Sequence, residues 1–473
     1  MTEVARDAAA SAVGPAEQLD QEQQTSPLPS PVPPEVVSRM ARRIKKFGVI
    51  VSPLDPADAR ANVHTSEFRG IYNLAIICGA LYTFSSAVSN WQSRGDVTDT
   101  TLGRAVFATW HFAEVLVTFA CQGLYTYTAL IPVSMAGSRF ALLRHHVLIN
   151  TVHHTLQSVL FFFTVVFIIY RDWGTIHAVS AFVECLVLLM KMHSYIRTQL
   201  EISRTSGKPP TPNLKDYTIY LFHPTLVYEP AFPRTDRIRW GYVAEKFIAI
   251  TLAMALFYLI VSDHVMPQLE DAGLENPVIV IINLLLPFLG CYLMIWFIIF
   301  ECICNGLAEV TYLADRDFYG DWWNSTTFDE FARKWNKPVH EFLLRHVYFE
   351  TLETYKLTRR TATILTFMVS AALHECVFAI IFRTVKLYFF VLQMMQVVVI
   401  IYGRGLKNTR AGNYIFWLGM ILGIPLQAVI YCREYHGGEP IFMNVMVPMW
   451  LGGFGTIVVS SLAFVRAPAK KKD

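Results

Sequence analysis

Two stretches of the 473-residue chain hold residues whose types and spacing could do chemistry. The first is Ser370-Ala371-Ala372-Leu373-His374-Glu375, inside the apolar run 362–383. An ionisable side chain within a membrane-spanning helix is costly to bury and so is a functional candidate by default. An imidazole, with an unperturbed pKa of about 6.5, can serve as a general base near neutrality. Ser370 lies one turn before His374 on the same helical face. Glu375 is rotated by roughly 100° and points elsewhere, which makes it a poor candidate for orienting the imidazole. The competing reading is a histidine satisfied by a carbonyl of a neighbouring helix.

The second stretch is the long connection 305–361. It carries Phe318-Tyr319-Gly320-Asp321-Trp322-Trp323-Asn324, then Trp335-Asn336-Lys337-Pro338-Val339-His340, then Arg345-His346-Val347-Tyr348. Ordered connections of this length are usually functional. On composition alone the plainer reading is an interfacial helix, since Trp and Tyr favour the headgroup level with Lys and Arg snorkelling beside them.

Other constellations carry less. The pairs His145-His146 and His153-His154 lack a His-x-x-His-His box, so a di-iron reading is set aside in favour of interfacial histidines, and no metal ligand is expected. No histidine is followed after four intervening residues by Asp, which removes the usual soluble-type glycerolipid acyltransferase box. The chain has no G-x-S-x-G elbow, P-loop or G-x-G-x-x-G. Glu114, Glu184, Lys191 and Glu301 lie in apolar segments, where they would line a polar tunnel or make interhelical pairs, and a structural role is the favoured reading for each. The eight cysteines fall in or beside apolar runs without C-x-x-C spacing and read as core residues rather than disulfides or zinc ligands.

The elements that must position these residues are membrane helices. Hydrophobic residues make up 53% of the chain and charged residues 16%, well below the ~25% usual for globular proteins, and the mean hydropathy is +0.37. A net charge of +3, with basic residues interleaved among apolar blocks, gives no nucleic-acid stripe. Spans of about 20 apolar residues are predicted near 71–90, 105–132, 147–170, 175–196, 242–262, 277–304, 362–383, 385–402, 413–432 and 441–465. That makes nine or ten, the last being interrupted by Pro448, Gly452, Gly453 and Gly455. Residues 1–38, rich in Ala, Gln, Ser and Pro, are expected to be a disordered cytosolic tail. Residues 39–68 form a basic juxtamembrane segment, 69–465 the membrane domain, and 466–473 a basic C-terminal tail. No apolar segment near Met1 suggests a cleavable signal. Lys and Arg concentrate in 197–241, 305–361 and 403–412, whereas 263–276 is acidic. An N-terminus in the cytosol puts all three basic connections there as well. Lys470-Lys471-Lys472-Asp473 resembles a dilysine retrieval signal of the endoplasmic reticulum.

Phe318-Tyr319-Gly320-Asp321-Trp322-Trp323-Asn324 resembles the FYxDWWN motif of the membrane-bound O-acyltransferases that esterify sterols and diacylglycerol. Ser370 to Glu375 resembles their intramembrane histidine segment. Similarity extends through Phe232-Pro233-Arg234-Thr235, Arg239 to Lys246 and Asn413 to Gly419, covering about residues 70–435. The stretches at 233–246 and 335–346 are most similar to the sterol O-acyltransferase branch, particularly its fungal members. The departure is the apolar segment 441–465 beyond the usual final helix. The resemblance implies an all-α polytopic fold of the endoplasmic reticulum membrane, acting as a homodimer or dimer of dimers. Its substrates would be long-chain acyl-CoA and the 3-hydroxyl of a sterol, with no cofactor or metal, and with diacylglycerol as the alternative acceptor. Carried over by position, His374 would be the catalytic histidine and Asn336 its partner. The acyl-CoA path would include Phe318, Tyr319, Asp321, Trp322, Trp323, Asn324, Arg333, Trp335, His340, Tyr348, Arg359, Arg360 and Ser370.

Overall fold

The chain builds helix after helix because its apolar runs are bounded by residues that start and stop helices, as the computed structural model shows. It describes residues 47–54, 69–95, 110–270, 275–353 and 355–435. The predicted tail at 1–38, the apolar segment at 441–465 and the basic end at 466–473 lie outside the described residues.

The helices that frame the site are α1 (Arg69–Arg94), α2 (Trp110–Tyr125, continuing to Ala136), α3 (His146–Arg171), α4 (Thr175–Ser206), α5 (Leu214–Phe222), α6 (Trp240–Ile260) and α7 (Pro277–Trp296). After them come α8 (Phe328–Trp335), α9 (Lys337–Phe342), α10 (Arg359–Phe382), α11 (Tyr388–Tyr402) and α12 (Arg410–Tyr435). Among the described residues no strand forms; two isolated bridges pair Ile50 with Asp315 and Arg234 with Leu313. Seven of these helices, with their continuations, are long and apolar enough to cross a membrane. The predicted span 385–402 yields the 15-residue α11. At ~1.5 Å per residue it falls short of a ~30 Å hydrocarbon core.

Local chemistry explains the boundaries. Asn276 caps α7 by accepting from the Val278 N–H, with Pro277 at the first helical position. Helix α4 stops at Gly207, whose φ of +67° is the left-handed conformation glycine adopts without strain. Three wide π-type turns interrupt or extend helices at Val261–Val265, Phe297–Cys304 and Leu343–Phe349, a feature often found at functional sites.

Three of the four ionisable residues of the apolar segments, Lys191, Glu114 and Glu301, have structural partners. Lys191 donates to the carbonyl oxygens of Tyr220, His223 and Thr225 at 3.0, 2.7 and 2.9 Å. Glu114 pairs with Arg171 and accepts from the Trp173 indole at 2.9 Å. Glu301, fully buried, is paired with Lys246 at 2.9 Å. All eight cysteines are free thiols, although Cys78 and Cys121 are exposed rather than core.

Two expectations need correction. The connection 305–361 is not an interfacial helix. It is an irregular segment carrying α8, α9 and the Leu343–Phe349 turn, and it docks its aromatics into the bundle. The doubled histidines are not all interfacial either. His145 and His146 are exposed at the start of α3. His153 is 0% exposed, stacked between His154 and His193, because two turns into α3 its side chain faces the neighbouring helix α4.

Candidate active site

Helix α10 carries the intramembrane histidine. Thr358 caps its first turn by accepting from the Thr361 N–H at 3.3 Å, and Arg359 and Arg360 follow at its exposed start. Four turns later His374 Nδ1 lies 2.8 Å from the Ser370 carbonyl oxygen. A carbonyl only accepts, so Nδ1 is the donor, and in the neutral ring the lone pair is on Nε2. The satisfying carbonyl therefore belongs to the histidine's own helix, and the ring's other nitrogen remains available.

The packing around His374 comes from α11, which runs back beside α10. Phe389 stacks on the imidazole with ring centroids 5.2 Å apart and planes 8° apart. Gln393 Nε2 donates to Ser370 Oγ at 3.4 Å, while its buried carbonyl oxygen has no hydrogen-bond partner. Glu375 points away, as the helical rotation requires. It is buried and accepts from the backbone N–H groups of Leu387 and Phe390 at 2.7 and 3.0 Å. It also accepts from the Tyr431 hydroxyl at 3.0 and 3.1 Å. One carboxylate thus ties the start of α11 and a residue of α12 to α10.

Asn336 sits at the junction of α8 and α9. Its carbonyl Oδ1 accepts from the Val339 N–H at 3.1 Å and so caps α9, while no hydrogen bond from its amide nitrogen occurs among the described residues. A capping amide with an uncommitted –NH2 is a neutral donor held in a fixed orientation. His340, one turn into α9, is held below the usual histidine range by burial and then by the charges of Arg333 and Lys337. The described contacts do not include one between Asn336 and His374. They are connected through the Leu343–Phe349 turn, which follows α9 and packs against α10.

The aromatic motif divides into two groups. Phe318, Tyr319 and Trp322 are buried in one cluster with Trp296 and Phe416. Trp322 makes edge contacts with Trp296 at 5.4 Å and Trp335 at 4.9 Å, and Trp335 stacks on Tyr292 at 4.3 Å. Tyr319 donates to Glu301 at 2.5 Å. Trp323 is half-buried, and its carbonyl accepts from Asn413 and from the Trp417 indole, both at 3.1 Å. Asp321, Asn324 and Arg333 are exposed. Burial pushes the Asp321 carboxyl up, but its hydrogen bond and ion pair with Lys334 outweigh this and hold it below the usual range. Arg333 pairs with Asp329 at 2.7 Å. Tyr348 is half-buried against Phe349. The core positions of the motif therefore shape the segment, while the polar ones face outward and could meet a ligand.

Phe389 and Gln393 were not singled out in the sequence. Their only local signal is an amide within the apolar run Tyr388–Tyr402, a weaker mark than a charge.

A polytopic helical bundle with a tautomer-fixed histidine inside a spanning helix defines a class of membrane-embedded protein suited to proton-transfer chemistry. The chain belongs to the membrane-bound O-acyltransferase family: that family's sequence profile matches residues 138–433, a stretch containing both Asn336 and His374. It is 37% identical over 233 residues to "Probable sterol O-acyltransferase 1" of Schizosaccharomyces pombe, covering 47% of this chain and 43% of that protein. It is 38% identical over 236 residues to "Sterol O-acyltransferase 2" of Candida albicans, covering 47% of this chain and 39% of that protein. "Diacylglycerol O-acyltransferase 1-1" of rice matches at 32% over 283 residues, covering 54% of this chain and 51% of that protein. The matched stretch thus spans about half or less of each of these relatives.

Proposed function

We propose that the protein transfers a long-chain acyl group from acyl-CoA to the 3-hydroxyl of a sterol, forming a steryl ester in the endoplasmic reticulum membrane. The observation that carries this reading is the hydrogen bond from His374 Nδ1 to the Ser370 carbonyl. It commits Nδ1 and leaves Nε2 as the nitrogen that can exchange a proton with the substrate. Nε2 takes the hydroxyl proton as the sterol oxygen attacks the thioester carbonyl carbon. The Asn336 amide donates to the carbonyl oxygen as it gains charge. The C–S bond then breaks, and the imidazolium returns its proton to the departing CoA thiolate, so no redox partner or resident cofactor is required.

Phe389, stacked on the imidazole, limits its rotation. Arg333, Arg359 and Arg360, exposed on the basic side of the bundle, suit the phosphates of CoA. His340, Tyr348, Ser370 and the outward-facing residues Asp321, Trp323 and Asn324 would border the acyl-CoA path, with Phe318, Tyr319, Trp322 and Trp335 supporting it from within. The assembly would be a homodimer or dimer of dimers. The sterol acceptor is supported by the two fungal sterol O-acyltransferases that match this chain, and the rice enzyme makes diacylglycerol the second reading.

The test supplies labelled oleoyl-CoA with sterol and diacylglycerol, at matched membrane concentration, to microsomes containing the protein. Steryl ester is the expected product. Triacylglycerol dominating by tenfold, ~1.4 kcal/mol in transition-state binding, would overturn the sterol choice, and formation of neither would overturn the acyl-transfer reading.

A further inference from the structure

Away from His374, four imidazoles form a chain of ring contacts, two of them beside one carboxylate. His153 and His154 of α3 stack on each other at 4.7 Å, and His193 of α4 lies 5.0 Å from His153 and 6.4 Å from His154. His346, in the turn Leu343–Phe349, meets His193 edge-on at 5.3 Å. Glu350, at the end of that turn, places Oε2 3.4 Å from His193 Nε2 and Oε1 2.8 Å from Arg197. One ligand atom from each of His193, His346 and Glu350 lies within 4.8 Å of the other two.

We propose that His193, His346 and Glu350 form a binding site for a zinc-like divalent transition-metal ion, with His153 at its edge. Two histidines and one glutamate are a donor set that such ions accept while keeping a further position open. A tetrahedral ion with bonds of about 2.0–2.2 Å places its ligand atoms roughly 3.4 Å apart, the spacing His193 and Glu350 already have.

Two observations point to a ligand rather than to a simple ion pair. Arg197 already pairs with Glu350 at 2.8 Å, yet His193 and His346 bring two imidazoles to the same carboxylate. His153 is fully buried and neither of its ring nitrogens has a hydrogen-bond partner, an arrangement that costs desolvation without return unless something polar fills the gap. The surroundings also supply what a ligating imidazole needs. Ser194 Oγ, fixed by the Tyr228 N–H at 2.9 Å, holds His346 Nε2 at 2.8 Å. An outer hydrogen bond of this kind orients the ring and sets its tautomer. The ion would fasten α4 to the turn that leads into the His374 helix. This inference is independent of the acyl-transfer reading, because its readout is metal bound.

The test uses the full chain purified in detergent, stripped with chelator and titrated with zinc and then cobalt. Expected are one zinc per chain, a rise in melting temperature with zinc, and visible cobalt absorption from a low-symmetry site. Glu350→Gln and His346→Ala should each weaken binding by at least tenfold, while the double change of exposed His145 and His146 to Ala should leave it unaltered. Arg197→Gln provides the distinguishing arm. Removing a cation 2.8 Å from Glu350 should tighten metal binding, whereas a purely structural ion pair predicts only lost stability. Absence of stoichiometric zinc in wild type would overturn the proposal. So would equal affinity in Glu350→Gln, which is nearly isosteric and keeps the result interpretable if His346→Ala does not fold.

Discussion

His374 Nδ1 and the Ser370 carbonyl oxygen stand 2.8 Å apart along one turn of α10. This single bond assigns the imidazole its tautomer without any carboxylate, and Glu375, the adjacent acid, is occupied elsewhere by Tyr431 and the start of α11. A base held by a backbone carbonyl and an apolar ring needs no charged partner beside it, which suits a site inside a membrane helix.

His374→Ala should lower acyl transfer by ~10² or more while leaving expression and membrane insertion intact, because it removes the base without adding a buried charge. The measurement is turnover per membrane-inserted chain. Near-normal turnover would return His374 to a structural role.

The two ends of the Asn336 amide can be separated. Asn336→Asp preserves an N-cap acceptor but replaces the donor with a carboxylate, so its melting temperature should stay close to wild type while kcat falls ~10²–10³. Asn336→Ala should lose the donor and also about 1 kcal/mol of capping. A change confined to KM for acyl-CoA would make Asn336 a substrate-positioning residue instead.

Glu375→Ala should destabilise the protein by at least about 2 kcal/mol, since it orphans two backbone N–H groups and the Tyr431 hydroxyl. Glu375→Gln keeps one acceptor and should lose less. Activity should fall with stability in both, because Phe389 lies in the turn that Glu375 holds. Thermal melts in detergent paired with turnover measure this.

The sequence displays local relationships and hides distant ones. The shared face of Ser370 and His374 and the divergence of Glu375 follow from 100° per residue, so the sequence alone displays them. The stacking of Phe389 on His374 depends on how α11 returns, and the approach of His346 to His193 spans a sequence separation that no periodicity encodes. The aromatic motif was recognisable as a motif. That Trp322 sits in the middle of a buried aromatic cluster depends on Trp296 and Phe416, contributed by α7 and α12.

Gly412→Ala tests the docking of α12 on the aromatic segment. A Cβ there would lie 2.4 Å from the Leu406 carbonyl oxygen and 2.7 Å from that of Thr326, both backbone atoms that cannot swing aside. The expected loss is about 1–3 kcal/mol, read as a lowered melting temperature. An unchanged melt would mean that the two backbones separate freely.

Buried His223 gives a pH signature. Burial, and then the nearby Lys191 ammonium, lowers its pKa to about 4, whereas the unfolded chain binds the proton near pH 6.5. The unfolded state therefore holds more protons between these values. The contribution is complete above pH ~6.5 and is lost as pH falls toward ~4, up to about 3 kcal/mol. The stability difference between wild type and His223→Gln should shift against wild type by that order between pH 7.5 and 4.5, as followed by chemical denaturation, and a constant difference would contradict the assignment.

The short segment 47–54 is bound into the bundle more firmly than its lack of regular structure suggests. Ser52 donates to Glu301 at 2.8 Å, the Leu54 N–H donates to Tyr319 at 3.2 Å, and Ile50 exchanges backbone hydrogen bonds with Ala314 and Arg316. These contacts complete the polar shell around the buried Lys246–Glu301 pair, where an unmatched partner is expensive. A protein engineer shortening the amino-terminal region thus meets a boundary at Ser52: a cut past it removes a donor to Glu301 and leaves a buried ion pair short of a partner, so a stretch without regular structure acts as a keystone of the bundle.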